Sequence, residues 1–216
     1  MQLTGTGGLS QRLPICYPSA MAYDFKSEYK EYYQAGKIPK IIFIPSFRYL
    51  CTEGSGKASR DNAAFQEALS GIGRLSQTLR SCERNGHHAA GSYEYVLPPA
   101  EVLQSLERPY SWRINMRIPD FFSQEDLDWA AEFCRSRNAA GTAGVKLSSY
   151  SYEMCVQTMH TGTNSTKSAA YARLEEYIAP FGYRIDHARS SCEILLSDPA
   201  RCPRNRMRTI IRLPIC

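Results

Sequence analysis

The chain repeats itself, and the repeat limits what it can fold into. Aligning Gly56 with Gly162 puts an aromatic residue nine positions further on in each copy, Phe65 and Tyr171, at the head of a helical pattern. The first pattern runs Phe65, Leu69, Ile72, Leu75, Leu79 and the second Tyr171, Leu174, Ile178, Phe181. Both keep the three-and-four spacing that gives a helix one apolar face. A strand candidate precedes each glycine, over residues 41–53 and 145–160, and each copy closes on a strand of one type. Residues 112–119 and 207–214 share three of eight positions, the pairs Arg113/Arg208, Arg117/Arg212 and Pro119/Pro214.

Between helix and closing strand, each copy carries a glutamate among large apolar neighbours: Ser92-Tyr93-Glu94-Tyr95-Val96-Leu97 and Ser191-Cys192-Glu193-Ile194-Leu195-Leu196. A carboxylate in such a setting is costly to bury unless a cation or a hydrogen-bond donor meets it. Two of them in a duplicated frame point to a pocket near a pseudo-twofold axis.

The expected fold is therefore α+β, built from duplicated strand-helix-strand-strand units with pseudo-twofold symmetry. Their antiparallel sheets would form a ligand groove, with helices on the opposite face. Repeat one covers about residues 40–119 and repeat two about 145–214. A connector helix over about 123–137 is opened by Ser123-Gln124-Glu125-Asp126. Residues 23–33 read as a short helix packing Phe25, Tyr29 and Tyr32 on the domain. Residues 1–20, rich in Gly, Thr and Ser, read as a disordered extension or an artefact of start-site choice, with Met21 a sensible initiator.

Composition narrows the function classes. At 43% hydrophobic and 22% charged residues the chain has the balance of a soluble globule. No apolar run approaches the ~20 residues that span a bilayer, so no membrane partner is expected. A net charge of +5 over 216 residues is too mild for direct nucleic-acid binding. The arginines between 201 and 212 read as a solvated sheet face or edge. Eight cysteines stand at 16, 51, 82, 134, 155, 192, 202 and 216 with no Cys-x-x-Cys pair and no export signal. They read as free thiols in the cytoplasm. No metal site and no cofactor is expected, and His87-His88 read as solvated loop residues. The loop over 54–62, with Gly54-Ser55-Gly56, lacks a P-loop ending and reads as a turn. No nucleophile elbow is present.

Five segments together resemble a known family: residues 23–30, Tyr93-Glu94-Tyr95-Val96-Leu97-Pro98-Pro99, residues 112–121, Cys155-Val156-Gln157-Thr158-Met159-His160-Thr161-Gly162, and Glu193-Ile194-Leu195-Leu196-Ser197-Asp198-Pro199. In that order, over about residues 22–214, they resemble the stand-alone GyrI-like small-molecule-binding proteins of bacteria. The resemblance implies a central ligand cleft, and one branch of the family is similar to cyclopropanoid cyclopropyl hydrolases, which open the ring of DNA-alkylating natural products with water. It implies that Glu193 is the pocket glutamate, that His160 lies close to the cleft beside Met159, and that Trp112 is an aromatic near the groove. The chain departs from the branch at Ala100-Glu101-Val102-Leu103-Gln104-Ser105, where relatives carry two tryptophans, and at Gly73, Gln77 and Asn164, where they carry tyrosines.

Two functions follow. In a binding protein of xenobiotic or toxin protection, Glu193 and Glu94 meet a lipophilic or cationic guest while Trp112, Tyr95 and Tyr49 supply ring faces and Met159 is a further ligand-binding residue. In a hydrolase, Glu193 is the general base and His160 its helper. Each glutamate could instead pair with an arginine such as Arg113 or Arg208. Direct contact with DNA gyrase is a third possibility, with no residue pattern of its own.

Overall fold

The computed structural model describes residues 22–197 and 202–216. The expected extension over 1–20, and with it Cys16, lies outside the described residues, as do Asp198, Pro199 and Arg201. Strand β1 (Tyr23–Asp24) leads into the single-turn helices α1 (Phe25–Glu28) and α2 (Lys30–Tyr33). Strands β2 (Lys40–Ile44) and β3 (Phe47–Ser55) precede the long helix α3 (Ala63–Arg80). Strand β4 (Tyr95–Val96) forms a two-stranded parallel sheet with β1. Strands β5 (Glu101–Gln104) and β6 (Ser111–Arg117) follow, then α4 (Gln124–Arg135). The second half runs β7 (Lys146–Tyr150), β8 (Glu153–Thr161), α5 (Lys167–Ile178), β9 (Ser191–Leu195) and β10 (Arg208–Pro214).

Eight strands make one antiparallel sheet in the order β2-β8-β10-β9-β5-β6-β3-β7. Read from either end, the order is the same sequence of roles, so the pseudo-twofold axis passes between β9 and β5. Each long strand expected from the sequence breaks in two. Pro45, which has no N–H to give a ladder, separates β2 from β3. Ser151 and Tyr152 separate β7 from β8, with Glu153 at φ 53° turning the chain. The pieces then part: β2 pairs with β8 of the second half, and β7 pairs with β3 of the first.

The two glutamate segments are not counterparts. Tyr95 and Val96 belong to the small sheet, Pro98 and Pro99 interrupt the chain, and the strand that matches β9 begins at Glu101. Its residue Val102 lies directly opposite Glu193.

Helix α3 packs on β3 and β6, and α5 packs on β8 and β10, on one face of the sheet. Both leave β5 and β9 uncovered between them. The helices were expected opposite the groove; the short α1 and α2 do lie there, whereas α3 and α5 share the groove's face and wall it. The spacing read from the sequence explains α3: Phe65, Ala68, Ile72, Leu75 and Leu79 are buried, and the Asn62 side chain accepts from the Phe65 N–H at 3.2 Å to cap it. Each large apolar side chain so buried contributes ~1.5–3 kcal/mol. The Ser123 start of α4 is a capping box with Asp126, and α4 packs Leu127, Ala130 and Cys134 beside α3.

The far face is a polar core under α1 and α2. Glu101, 1% exposed, accepts from the hydroxyls of Tyr33 at 2.8 Å and Tyr152 at 2.5 Å. The Arg117 guanidinium lies 3.5 Å from the Phe47 ring centroid and 3.9 Å from that of Tyr29. Arg212, expected in a solvated row, is buried on a central strand and donates to Gln157 Oε1 and the Tyr32 carbonyl. The seven described cysteines are all free thiols, five of them buried.

Candidate functional site

The space between α3 and α5 holds two adjoining cavities, of 510 and 370 Å³. They share Ala58, Ser59, Val102, Lys167 and Glu193, which form the seam between two lobes of one groove. The first lobe has an apolar floor and wall from Phe65, Leu69, Val102, Leu195 and Met207. The second is more polar, with Gln104, Ser105, Tyr110, Tyr171 and Ser191. Strand alternation produces the floor: Val102 pairs with Glu193, and Leu195 with Thr209, so all four side chains rise on the helix side. The 54–62 loop, read from sequence as a turn, is also the first wall of the seam.

Glu193 stands at that seam and is half-buried. Its Oε2 accepts from Lys167 Nζ at 2.6 Å, with 15% of the lysine and 25% of the glutamate side chain exposed. The cation that meets it is therefore neither Arg113, which pairs with Glu53 at 2.9 Å, nor Arg208. Lys167 opens α5, and the 3-10 turn before it is tied back by His160: Nε2 lies 3.2 Å from the Thr163 carbonyl oxygen and 3.3 Å from Thr166 Oγ1. Beside the pair, burial and the nearby Glu193 charge push the Tyr171 hydroxyl up to about 12, so it stays a donor at neutral pH.

Of the residues expected from the sequence to bind or catalyse, Glu193 alone is among those that line the two lobes. Trp112 is on the groove's face but buried behind Phe65, its ring edge-on at 5.4 Å and its Nε1 donating to the Ser55 carbonyl. His160 faces a further cavity of 440 Å³ that shares Gly162 and Thr163 with the first lobe, and β10 lies between its strand and that of Glu193, about 9–10 Å of sheet. Glu94, the expected second carboxylate, is exposed beside the β1–β4 pair. Tyr95 packs edge-on to Phe25 and Phe122, away from the groove. Tyr49 and Met159 are buried on the far face, by their register with Arg117 and Ile210. His87 is not a solvated loop residue: its Nε2 is 2.6 Å from Asp126 Oδ1 and its ring stacks on Trp129 at 4.3 Å.

Lys167 carries no sequence signal that sets it apart from a surface lysine, and Tyr171 reads only as the head of the second helical pattern. Among the described residues no group of three or more His, Cys, Asp or Glu side chains could hold a metal ion, and no helix is long and apolar enough to cross a membrane.

No family model and no curated protein matches the chain. Solved structures do. A hydrolase from Listeria innocua is similar at a TM-score of 0.82 and 31% identity, covering 90% of this chain and 100% of that one. An uncharacterized conserved protein of the same organism gives 0.82 and 30%, again over 90% and 100%. EcmrR in a DNA complex shares the fold, at 0.50 and 12% identity over 88% of this chain and 62% of that one.

Proposed function

This chain belongs to the same family as the Listeria innocua hydrolase, and from that premise we propose that the groove between α3 and α5 binds a lipophilic organic molecule and hydrolyses it, with Glu193 as general base. The observation that carries this reading is the Glu193–Lys167 pair at the seam of the two lobes, 2.6 Å apart and partly shielded from water. A carboxylate there can take a proton from a water molecule as the water oxygen bonds to an electrophilic carbon. The bond broken at that carbon sends its electron pair into the departing part of the substrate. Lys167 and the Tyr171 hydroxyl are the donors at hand to steady that charge, and a proton returns to it as Glu193 is restored. One water is added and nothing is oxidised or reduced.

The GyrI-like resemblance names the substrate more closely: a strained cyclopropane ring conjugated to an electron-accepting system, as in DNA-alkylating natural products. Such a substrate is already activated, so the ~10²–10⁴-fold of general-base catalysis suffices. His160, tied to the turn that presents Lys167, acts in this reading as a positioning residue. A purely cation-binding role fits less well, because a cationic guest would have to displace Lys167 from Glu193.

The test is incubation with a cyclopropane-bearing alkylator, following the ring-opened product. Glu193→Gln is expected to lose turnover by ~10²-fold or more while still binding, and Lys167→Gln to lose ~10-fold or more. Stoichiometric binding by the native chain with no product would refute the hydrolase and leave a binding protein.

A further inference from the structure

The charges around the groove bear on which organic molecules it takes. Among the described residues, Lys57 lines the second lobe, Arg60 and Arg204 the first, and Lys167 both; the acids are Asp61 and Glu193. The acid on the floor is already met by Lys167 at 2.6 Å, so it offers an incoming cation no uncompensated charge. With that pair cancelled, the second lobe keeps, among the described residues, one lining cation, Lys57, whose Nζ lies 5.1 Å from the Tyr110 ring centroid, and no lining acid of its own. Its remaining polar lining, Gln104, Ser105, Ser191 and Tyr171, is uncharged at neutral pH. The first lobe offers the opposite chemistry: Phe65, Leu69, Leu195 and Met207 present ring and chain faces.

We infer that the groove selects two-part organic anions: an apolar ring system lying on Phe65 and Leu69, joined to an anionic arm that reaches Lys57 across the Glu193–Lys167 seam. This rests on the reading of the groove as the substrate site and assigns its substrate class. It makes Lys57 a specificity-determining residue, acting on binding and not on the chemical step. The strained ring to be opened then lies where the two parts join, over Glu193. Lipophilic cations are disfavoured by the like charge of Lys57 in the second lobe and by the pairing of Glu193 with Lys167 at the seam.

A matched pair of fluorescent probes tests it on the full chain: 8-anilinonaphthalene-1-sulfonate and its neutral parent N-phenyl-1-naphthylamine, with a tetraarylphosphonium as cationic competitor. The sulfonate is expected to bind more tightly than the parent. Lys57→Gln should weaken the sulfonate about two- to fivefold, the scale of one exposed charge pair, and leave the parent unchanged. High salt should erase the preference in the same way. Equal affinity of the two probes, an unchanged sulfonate affinity in Lys57→Gln, or better competition by the phosphonium would each overturn the inference while leaving the groove reading intact. If neither probe binds a chain that circular dichroism shows to be folded, the groove reading itself fails.

Discussion

Two glycines on α3, two residues apart, should answer the same substitution with opposite signs. Alanine in place of glycine inside a helix gains ~0.8–1 kcal/mol of propensity. At Gly73 an added Cβ meets nothing within 4 Å, so the gain is realised in full. At Gly71 the Cβ would lie 1.8 Å from the Gly141 carbonyl oxygen, 2.1 Å from its carbonyl carbon and 2.7 Å from its Cα. Ordinary contact begins at 3.4 Å, so the shortfall is 3.4 − 1.8 = 1.6 Å, and it is against backbone. Gly141 cannot simply turn away. It sits at φ +77°, and a Cβ of its own would already be 2.2 Å from the Glu67 carbonyl oxygen of the same helix. Helix and loop therefore touch main chain to main chain. Overpacking of this kind costs ~1–3 kcal/mol or more, which outweighs the propensity gain. For a chain of 216 residues each kcal/mol moves Tm by ~2–4 °C. Thermal melts by circular dichroism should place Gly73→Ala ~2–4 °C above the native chain and Gly71→Ala several degrees below it. Shifts of the same sign, or a neutral Gly71→Ala, would refute the backbone contact between α3 and the loop.

Two further predictions concern groups outside the groove. Burial pushes the Asp126 carboxyl up, but the Ser123 N–H, the His87 ring and the Ser123 hydroxyl bond its charged form, outweigh burial and hold it below the usual carboxylate range. A depressed carboxyl adds stability at neutral pH that is lost as pH falls through its native value. Denaturant melts should thus show Asp126→Asn less stable than the native chain at neutral pH, with the gap narrowing below about pH 4; a gap constant with pH refutes the reading. Glu101→Ala should cost ~3 kcal/mol or more by leaving the buried Tyr33 and Tyr152 hydroxyls without their acceptor. A melt unchanged by this substitution would mean that the far-face cluster does not hold the sheet together.

Much of this was legible in the residues, because much of it is local. The apolar spacing from Phe65 to Leu79 gave the groove's first wall, and Ser123 with Asp126 gave the start of α4, since both depend on neighbours within one or two turns. Glu193 was legible as an acid that needed a partner, but its partner was not, because Lys167 lies on another element 26 residues away. Glu94 looked like its twin on local apolar context alone; register decides, and Pro98-Pro99 moves the matching strand on to Glu101. Glu101 itself, in a plain Pro-Pro-Ala-Glu setting, is buried only because tyrosines 68 and 51 positions distant close over it. The departure of β2 and β7 to opposite ends of the sheet has no local signal at all.

That exchange carries a consequence for how such a chain comes apart. Because each half lends its leading strand to the other, neither half is a self-sufficient body. A single unit released by itself would keep an open edge at β3 or β8 where the other's strand should lie, and two such units would close only by clasping one another. Cut in the connector, the two fragments should therefore recover the native state together and not separately, and the single-unit forerunner implied by the duplication is an intertwined pair.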